Sequence, residues 1–338
     1  MSFRVLGIET SCDETAVALL EDGKLISNRV ATQEVHARWG GVVPELASRL
    51  HQKTLARMVD ESLRDAGWKI SDLQGIAATR GPGLIGALLV GFSYAKGLAV
   101  AFGIPLVGVN HLEGHLFAVE AAGERLPMPC LGLLVSGGHT ELFRIEGFGR
   151  YTLLGATLDD AAGEAFDKVG GLLGIPYPAG AQLSMLAREG NPAHYPFAVA
   201  QTASPFDFSF SGLKSAAMRE IRRLTELGED GWREDIAASF QDAVVVQLAL
   251  RMDRALENES YRSVMVGGGV AANQALRKRL ASLAERHGVE LCVPPIDYCT
   301  DNAAMIAYVG YRKLIENAGD SLELEADPNL GLIADTVR

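Results

Sequence analysis

The hydrophobic positions of this chain fall into short runs of strand length and longer runs of helical spacing, and their order repeats. Apolar stretches at 4–8, 15–20 and 25–32 read as three strands, with Glu21-Asp22-Gly23-Lys24 supplying an Asp-Gly hairpin turn between the last two. Helical spacing follows over 43–66, then a strand at 75–79 and a helix after Gly81-Pro82-Gly83. A strand at 105–109 leads into a helix carrying His111 and His115. The predicted order is β-β-β-α-β-α-β-α. Downstream, strands at 131–136 and 140–145 flank Gly137-Gly138, and a third lies at 151–154. A mostly helical region, 160–258, precedes a strand at 263–266, a helix at 271–287, a strand at 290–293 and a helix at 303–317.

That pattern predicts an α/β protein of two lobes sharing one topology, with a helical insert in the second. The lobes are expected at 1–127 and 128–325, followed by a C-terminal tail at 326–338. A nucleotide is expected in the cleft between them. The chain has 338 residues, enough for two lobes and a large core, and 37 of them are glycine. The glycines gather at predicted strand-to-helix turns, where a backbone can approach a phosphate.

The net charge of −11 argues against a free-standing, non-specific nucleic-acid binder, which needs basic surface to release counterions. Any nucleic-acid substrate must therefore meet a local basic patch or a basic partner. Cys12, Cys130, Cys292 and Cys299 are scattered and form no CxxC, so neither a disulfide framework nor a zinc knuckle is expected. Glu9 interrupts the first apolar run too early for a signal peptide. Residues 83–109 are apolar enough to suggest a membrane span. Lys96 near the middle would cost ~2.5–3.5 kcal/mol in a bilayer, and Gly103 and Pro105 divide the stretch. It reads as a buried helix and a buried strand of a soluble, cytoplasmic protein.

His111-Leu112-Glu113-Gly114-His115 carries the sharpest chemistry. Two imidazoles four residues apart lie on one helix face, because successive residues turn about 100°. That arrangement suits one metal ion held by both rings. Two polar histidines on a half-exposed helix are the alternative. The loop 7–15 joins two apolar strands with hydroxyls and with Glu9, Asp13 and Glu14, groups able to hold phosphate or order a metal. Cys299-Thr300-Asp301-Asn302 opens the last helix, where Thr300 or Asp301 fits an N-terminal cap and Asp301 could equally bind a metal.

In the second half, Leu133–Val135 enters a turn of Ser136, Gly137, Gly138 and His139, groups able to meet a phosphate or leaving group. Val266 runs into Gly267-Gly268-Gly269, which lets a flat ring or phosphate lie on the main chain; Asn273 follows in the next helix and can bond a base or ribose. This is not the dinucleotide GxGxxG pattern. Asp160, Glu164 and Asp167 fall on one predicted helix face, to be read as a ribose contact or as a solvated acidic face. Phe206, Phe208 and Phe210 alternate with polar residues and read as core.

Taken together these blocks resemble one universal family, the tRNA adenosine threonylcarbamoyltransferases, formerly labelled O-sialoglycoprotein endopeptidases. The likeness runs through Lys96-Gly97, Phe102–Val107 and His111–Leu116, and through Gly7–Thr15, Gly40–Arg49, Gly81–Leu84, Val135–Thr140, Asp159–Lys168, Phe208–Lys214, Gly267–Asn273 and Cys299–Asn302. It implies the two-lobed actin-like, Hsp70-like and sugar-kinase-like ATPase fold. It implies one divalent metal, iron ahead of zinc, on His111, His115 and Asp301, with ligands drawn from both lobes, and it admits ATP with Mg2+. The implied substrate pocket comprises Leu134, Val135, Ser136, Gly137, Gly138, Asp167, Gly180 and Asn273. Some members carry an acid where this chain has Ser184.

The implied reaction moves threonylcarbamoyl from threonylcarbamoyl-adenylate to N6 of the adenosine 3′ of the anticodon in tRNAs reading ANN codons, releasing AMP. The implied partners are tRNA, an inactive paralogous subunit and a P-loop ATPase. Arg219, Arg222, Arg223, Arg277, Lys278 and Arg279 are the local candidates for basic surface, with solvated helix faces as the alternative. Three rival readings remain. A zincin peptidase needs Glu directly after the first histidine, and Leu112 stands there. A small-molecule kinase of the same fold is opposed by the paired histidines. A non-catalytic scaffold is opposed by retention of all three ligands and both glycine loops.

Overall fold

The computed structural model describes residues 2–317 and 319–333. The chain divides into two units, one running to Arg125 and resuming at Thr300, the other spanning Leu126–Cys299.

In the first unit, β1 (Arg4–Glu9), β2 (Glu14–Glu21) and β3 (Lys24–Thr32) form an antiparallel meander. Asp22 and Gly23 both take positive φ, 52° and 76°, as the Asp-Gly turn requires. Helix α1 (Pro44–Asp65) leads to β4 (Gly75–Gly81), α2 (Ile85–Phe102) and β5 (Leu106–Asn110). The short helices α3 (His111–Leu116) and α4 (Ala118–Ala121) follow. The sheet order is β3-β2-β1-β4-β5, with β1, β4 and β5 parallel. Successive side chains on a strand point to opposite faces. Leu6 and Ile8 therefore join α1 and α2 in one buried cluster, while Gly7 and Glu9 point to the other face.

Only one side of α2 is buried, through Ala87, Leu88, Gly91, Phe92, Ala95 and Ala99; Ile85, Leu89, Val100 and Phe102 are exposed. The expected buried helix therefore has one buried face and one exposed face. By length and composition α2 could cross a membrane.

The second unit repeats the plan. It contains β6 (Cys130–Val135), β7 (Thr140–Gly147), β8 (Arg150–Ala156), α5 (Ala162–Leu172), α6 (Gly180–Leu186), α7 (Ser211–Leu227) and α8 (Arg233–Asn258). It ends with β9 (Ser263–Gly267), α9 (Gln274–His287) and β10 (Glu290–Cys292). The order β10-β9-β6-β7-β8 mirrors the first sheet strand for strand, including which pairs run parallel. The doubled topology and the insert between β8 and β9 are as the sequence pattern predicts. Phe208 and Phe210 are fully buried in this unit's core, as expected, although no strand forms around them.

Helix α10 (Ala303–Glu316) departs from the expected layout. The sequence order puts it in the second lobe, yet it packs on β1, β2, β4 and β5 of the first unit. Two glycines permit this. A Cβ on Gly7 would lie 2.6 Å from that of Ala307, and one on Gly310 would lie 2.1 Å from that of Ala77. Any larger residue at either position would push the helix off the sheet. The expected C-terminal tail is also bound to this unit: Asn110 Nδ2 donates to Gly331 O at 3.0 Å, and Asp327 N donates to Arg80 O at 2.9 Å. Its last part, 334–338, lies outside the described residues.

Candidate metal centre and glycine loops

Four segments of the first unit converge at the C-terminal end of β1. Glu9 ends that strand on the α10 face. Asn110 ends β5 and caps α3, its Oδ1 accepting from Leu112 N at 2.8 Å. The cap starts the helix at His111, and four residues later His115 falls on the same face. The rings meet edge to face with centroids 4.7 Å apart. Asn302, not Thr300 or Asp301, caps α10, its Oδ1 accepting from Met305 N at 3.2 Å. That leaves Asp301 one residue before the cap, with its carboxylate turned to the histidines.

Asp301 Oδ1 lies 3.4 Å from His111 Nε2 and 3.1 Å from His115 Nε2. The three ligand atoms lie within 4.8 Å of one another. An ion bound at about 2.1 Å by each atom, at angles of 90–109°, needs neighbouring ligand atoms roughly 3.0–3.4 Å apart. The two distances from Asp301 Oδ1 meet that spacing, so the donor set fits a divalent cation. All three candidate ligands belong to the first unit, which corrects the expectation that they come from two lobes.

The electrostatics point the same way. Burial opposes charge on His111, yet Asp301 and Glu9 outweigh it and hold the imidazole pKa well above its ordinary value. His115 is pushed down, by burial first. Burial would raise Asp301, but His111 and then His115 hold its carboxyl well below the usual range. Glu14 is pushed up to about 10 by burial, then by Asp301 and Asp13. A bound cation would relieve this crowding of carboxylates.

Sequence reasoning left Glu9 unassigned within its loop. Its Oε2 lies 2.9 Å from His111 Nδ1 and accepts from Thr79 Oγ1 at 2.7 Å. Glu9 thereby fixes the ring so that Nε2 faces Asp301. His115 Nδ1 finds no hydrogen-bond partner among the described residues. Glu113 is 4% exposed and held 2.7 Å from Lys313 Nζ on α10. That ion pair removes it as a peptidase-type general base.

In the second unit, the parallel strands β6 and β9 end side by side, the usual place for a ligand in such sheets. Leu134 and Val135 are fully buried and anchor the end of β6. Ser136–Gly138 form the loop beyond them. Gly163 at the start of α5 lies against that loop, where a Cβ would approach Ser136 O to 2.6 Å. Gly268, with φ 89°, lies on its other side, 2.4 Å from Val135 O by the same measure. Its glycine is therefore required by the protein's own backbone rather than by a ligand. Gly137, Gly138 and Gly269 face open space.

The three acids do not share one helix face. Asp160 precedes α5 and binds Lys214 and Lys168, Glu164 pairs with Lys168 at 2.6 Å, and Asp167 Oδ1 accepts from Ala179 N at 2.8 Å beside Gly180. Asn273 is the cap of α9, not part of its first turn. Of the basic candidates, Arg223 pairs with Glu220, and Arg277 is tied to Ala271 O and Pro294 O. Arg277 is therefore structural, held inward by main-chain carbonyls.

The doubled sheet with its insert defines the class, a two-lobed α/β protein of the actin-like ATPase fold. Component A of the (R)-2-hydroxyglutaryl-CoA dehydratase of Acidaminococcus fermentans shares it, with TM-score 0.57 and 19% identity over 93% of this chain and 99% of that one. So does HypF of T. kodakarensis, with TM-score 0.61 and 13% identity over 93% of this chain and 48% of that one. The family model described as tRNA N6-adenosine threonylcarbamoyltransferase matches residues 24–308. Proteins of that name from Moorella thermoacetica and Anaeromyxobacter dehalogenans are 48% and 50% identical, over 97% and 96% of this chain and 97% and 98% of theirs. The chain belongs to the tRNA N6-adenosine threonylcarbamoyltransferase family.

Proposed function

We propose that this chain transfers threonylcarbamoyl from threonylcarbamoyl-adenylate to N6 of the adenosine 3′ of the anticodon in tRNAs reading ANN codons. The observation that carries this reading is membership of the family along nearly the whole chain. The N6 amine attacks the carbamoyl carbon, the bond from that carbon to the phosphate oxygen breaks, AMP departs, and the amine loses a proton.

His111, His115 and Asp301 would hold one divalent metal. Two neutral imidazoles and one carboxylate with open positions form the donor set typical of Fe2+ sites, which puts iron ahead of zinc. When bound, the ion supplies a Lewis acid able to hold carboxylate or phosphate oxygens. Glu9 keeps the His111 lone pair on Nε2. In the second unit, Ser136, Gly137 and Gly138 offer main-chain N–H groups to the adenylate, with Leu134 and Val135 anchoring that loop. Asp167, Gly180 and Asn273 would flank the nucleoside. Fixing the reactants in place supplies most of the acceleration, so no general base is assigned.

The chain works in the cytoplasm with an inactive paralogous subunit and a P-loop ATPase; ATP with Mg2+ would be a further ligand. An acidic chain acting on tRNA fits such a basic partner surface. The test is transfer of carbon-labelled threonine to unmodified tRNA in the presence of bicarbonate, ATP, the adenylate-forming enzyme and the partner subunits. Label in tRNA that depends on this chain is expected; its absence with active partners would return the chain to the kinase or scaffold readings.

A further inference from the structure

The two edges of the first sheet are treated differently. At β5 the C-terminal segment covers the edge: Asp320 N donates to Leu106 O at 2.7 Å, and Gly108 N donates to Asp320 Oδ2 at 2.9 Å. At the other edge β3 pairs with β2 alone, and no further strand lies against it among the described residues. An open edge is a template for pairing with another chain unless something blunts it. β3 contains no proline, and it exposes Ile26 and Val30, at 45% and 43%, on one face. Between them Ser27 Oγ and Asn28 Oδ1 are buried without a hydrogen-bond partner. Buried polar groups ordinarily find one.

The nine residues of β3, Lys24-Leu25-Ile26-Ser27-Asn28-Arg29-Val30-Ala31-Thr32, are palindromic in polarity about Asn28. A second copy of the strand, laid antiparallel and centred on Asn28, sets Ile26 opposite Val30 and Leu25 opposite Ala31. It also sets Ser27 opposite Arg29, Lys24 opposite Thr32, and Asn28 opposite itself. Apolar meets apolar and polar meets polar at every position, as a self-complementary two-fold contact requires. A slip of one residue puts Leu25 against Thr32 and Ser27 against Val30. Charge does not oppose the pairing, since each Arg29 is neutralised by Asp65 of its own chain.

We propose that β3 is a homodimerisation edge, through which two copies of this chain pair antiparallel about Asn28 and join their first sheets into one. The side chains of Asn28 meet across the two-fold axis, each with a donor and an acceptor, and Arg29 of one copy brings donors beside Ser27 of the other.

Two experiments on the full-length chain test this. Residue 28 of one copy faces residue 28 of the other closely enough for a disulfide. Mild oxidation of Asn28→Cys should therefore give a covalent dimer, whereas wild type and Ser27→Cys, whose thiols lie diagonally apart, should not cross-link. Sedimentation at rising concentration should take wild type from monomer to dimer. Ile26→Lys/Val30→Lys sets like charges opposite each other twice and should weaken the dimer by about tenfold or more. Ile26→Lys/Val30→Glu sets opposite charges across the same two pairs and should restore it. A wild type that stays monomeric would overturn the inference. So would an Asn28→Cys protein that does not cross-link, or two charge variants that behave alike.

Discussion

Glu9 Oε2 sits 2.9 Å from His111 Nδ1, so a carboxylate at the end of the first strand orients a histidine about a hundred residues away. Partners of this kind fix the tautomer of a metal-bound histidine and raise its basicity. Glu9→Gln should therefore lower metal affinity by about 10–100-fold with all three ligands in place. Competition against a chelator of known affinity measures this, and an unchanged affinity would remove Glu9 from the account.

Protons and metal compete for His111, and the signs are opposite for folding and for metal binding. Its pKa is raised in the folded, metal-free protein. The stability this contributes is fully present below the unfolded value of about 6.5 and is lost as pH rises through the folded value. Metal binding requires the deprotonated ring and so strengthens as pH rises. Affinity should fall steadily from about pH 8 to pH 6, and roughly one proton should leave per ion bound. Calorimetry in buffers of different ionisation enthalpy counts that proton; pH-independent affinity would contradict the arrangement.

Asp159 ties down the start of α7 by accepting from Phe210 N at 2.7 Å, Ser211 N at 3.1 Å, Ser209 Oγ at 2.6 Å and Ser211 Oγ at 2.7 Å. Asp159→Ala should cost about 1–2 kcal/mol, the range of a lost helix cap. Burial opposes its charge, but these bonds outweigh burial and lower its pKa. The stabilisation is therefore present above the unfolded value and is lost as pH falls through the folded one. Urea unfolding at pH 7 and in acid checks both points, and equal stability of the two proteins at pH 7 would refute the cap.

Gly163 and Gly137 should respond differently to alanine. At Gly163 the new methyl meets Ser136 O, so the loop must shift at a cost of ~1–3 kcal/mol. At Gly137 nothing lies within 4 Å, so stability should hold while affinity for the adenylate falls. Thermal midpoints and KM for both variants separate the effects. A Gly137→Ala enzyme with wild-type KM would take that residue out of the substrate loop.

The doubled strand order was legible because period-two alternation and turn residues are local signals. The placement of α10 was not legible. Nothing in 303–317 distinguishes a helix that packs on the nearer sheet from one that returns to the first. The decision is made by Gly7 and Gly310, whose missing Cβ atoms matter only once the helix is docked. His111 and His115 were visible as a pair from their spacing alone. Glu9 and Lys313 were not visible, since their partners lie far off in sequence. Asn273 was visible as a polar residue after the glycine run, but its capping of α9 depends on where that helix starts.

The measurement that reaches furthest is the label-transfer assay with wild type beside His111→Ala/His115→Ala, with the bound metal quantified in both proteins. The account predicts a folded, metal-poor double variant that transfers no threonylcarbamoyl to tRNA while wild type labels it. Equal transfer by both proteins, or a double variant that retains a full complement of metal, would contradict it.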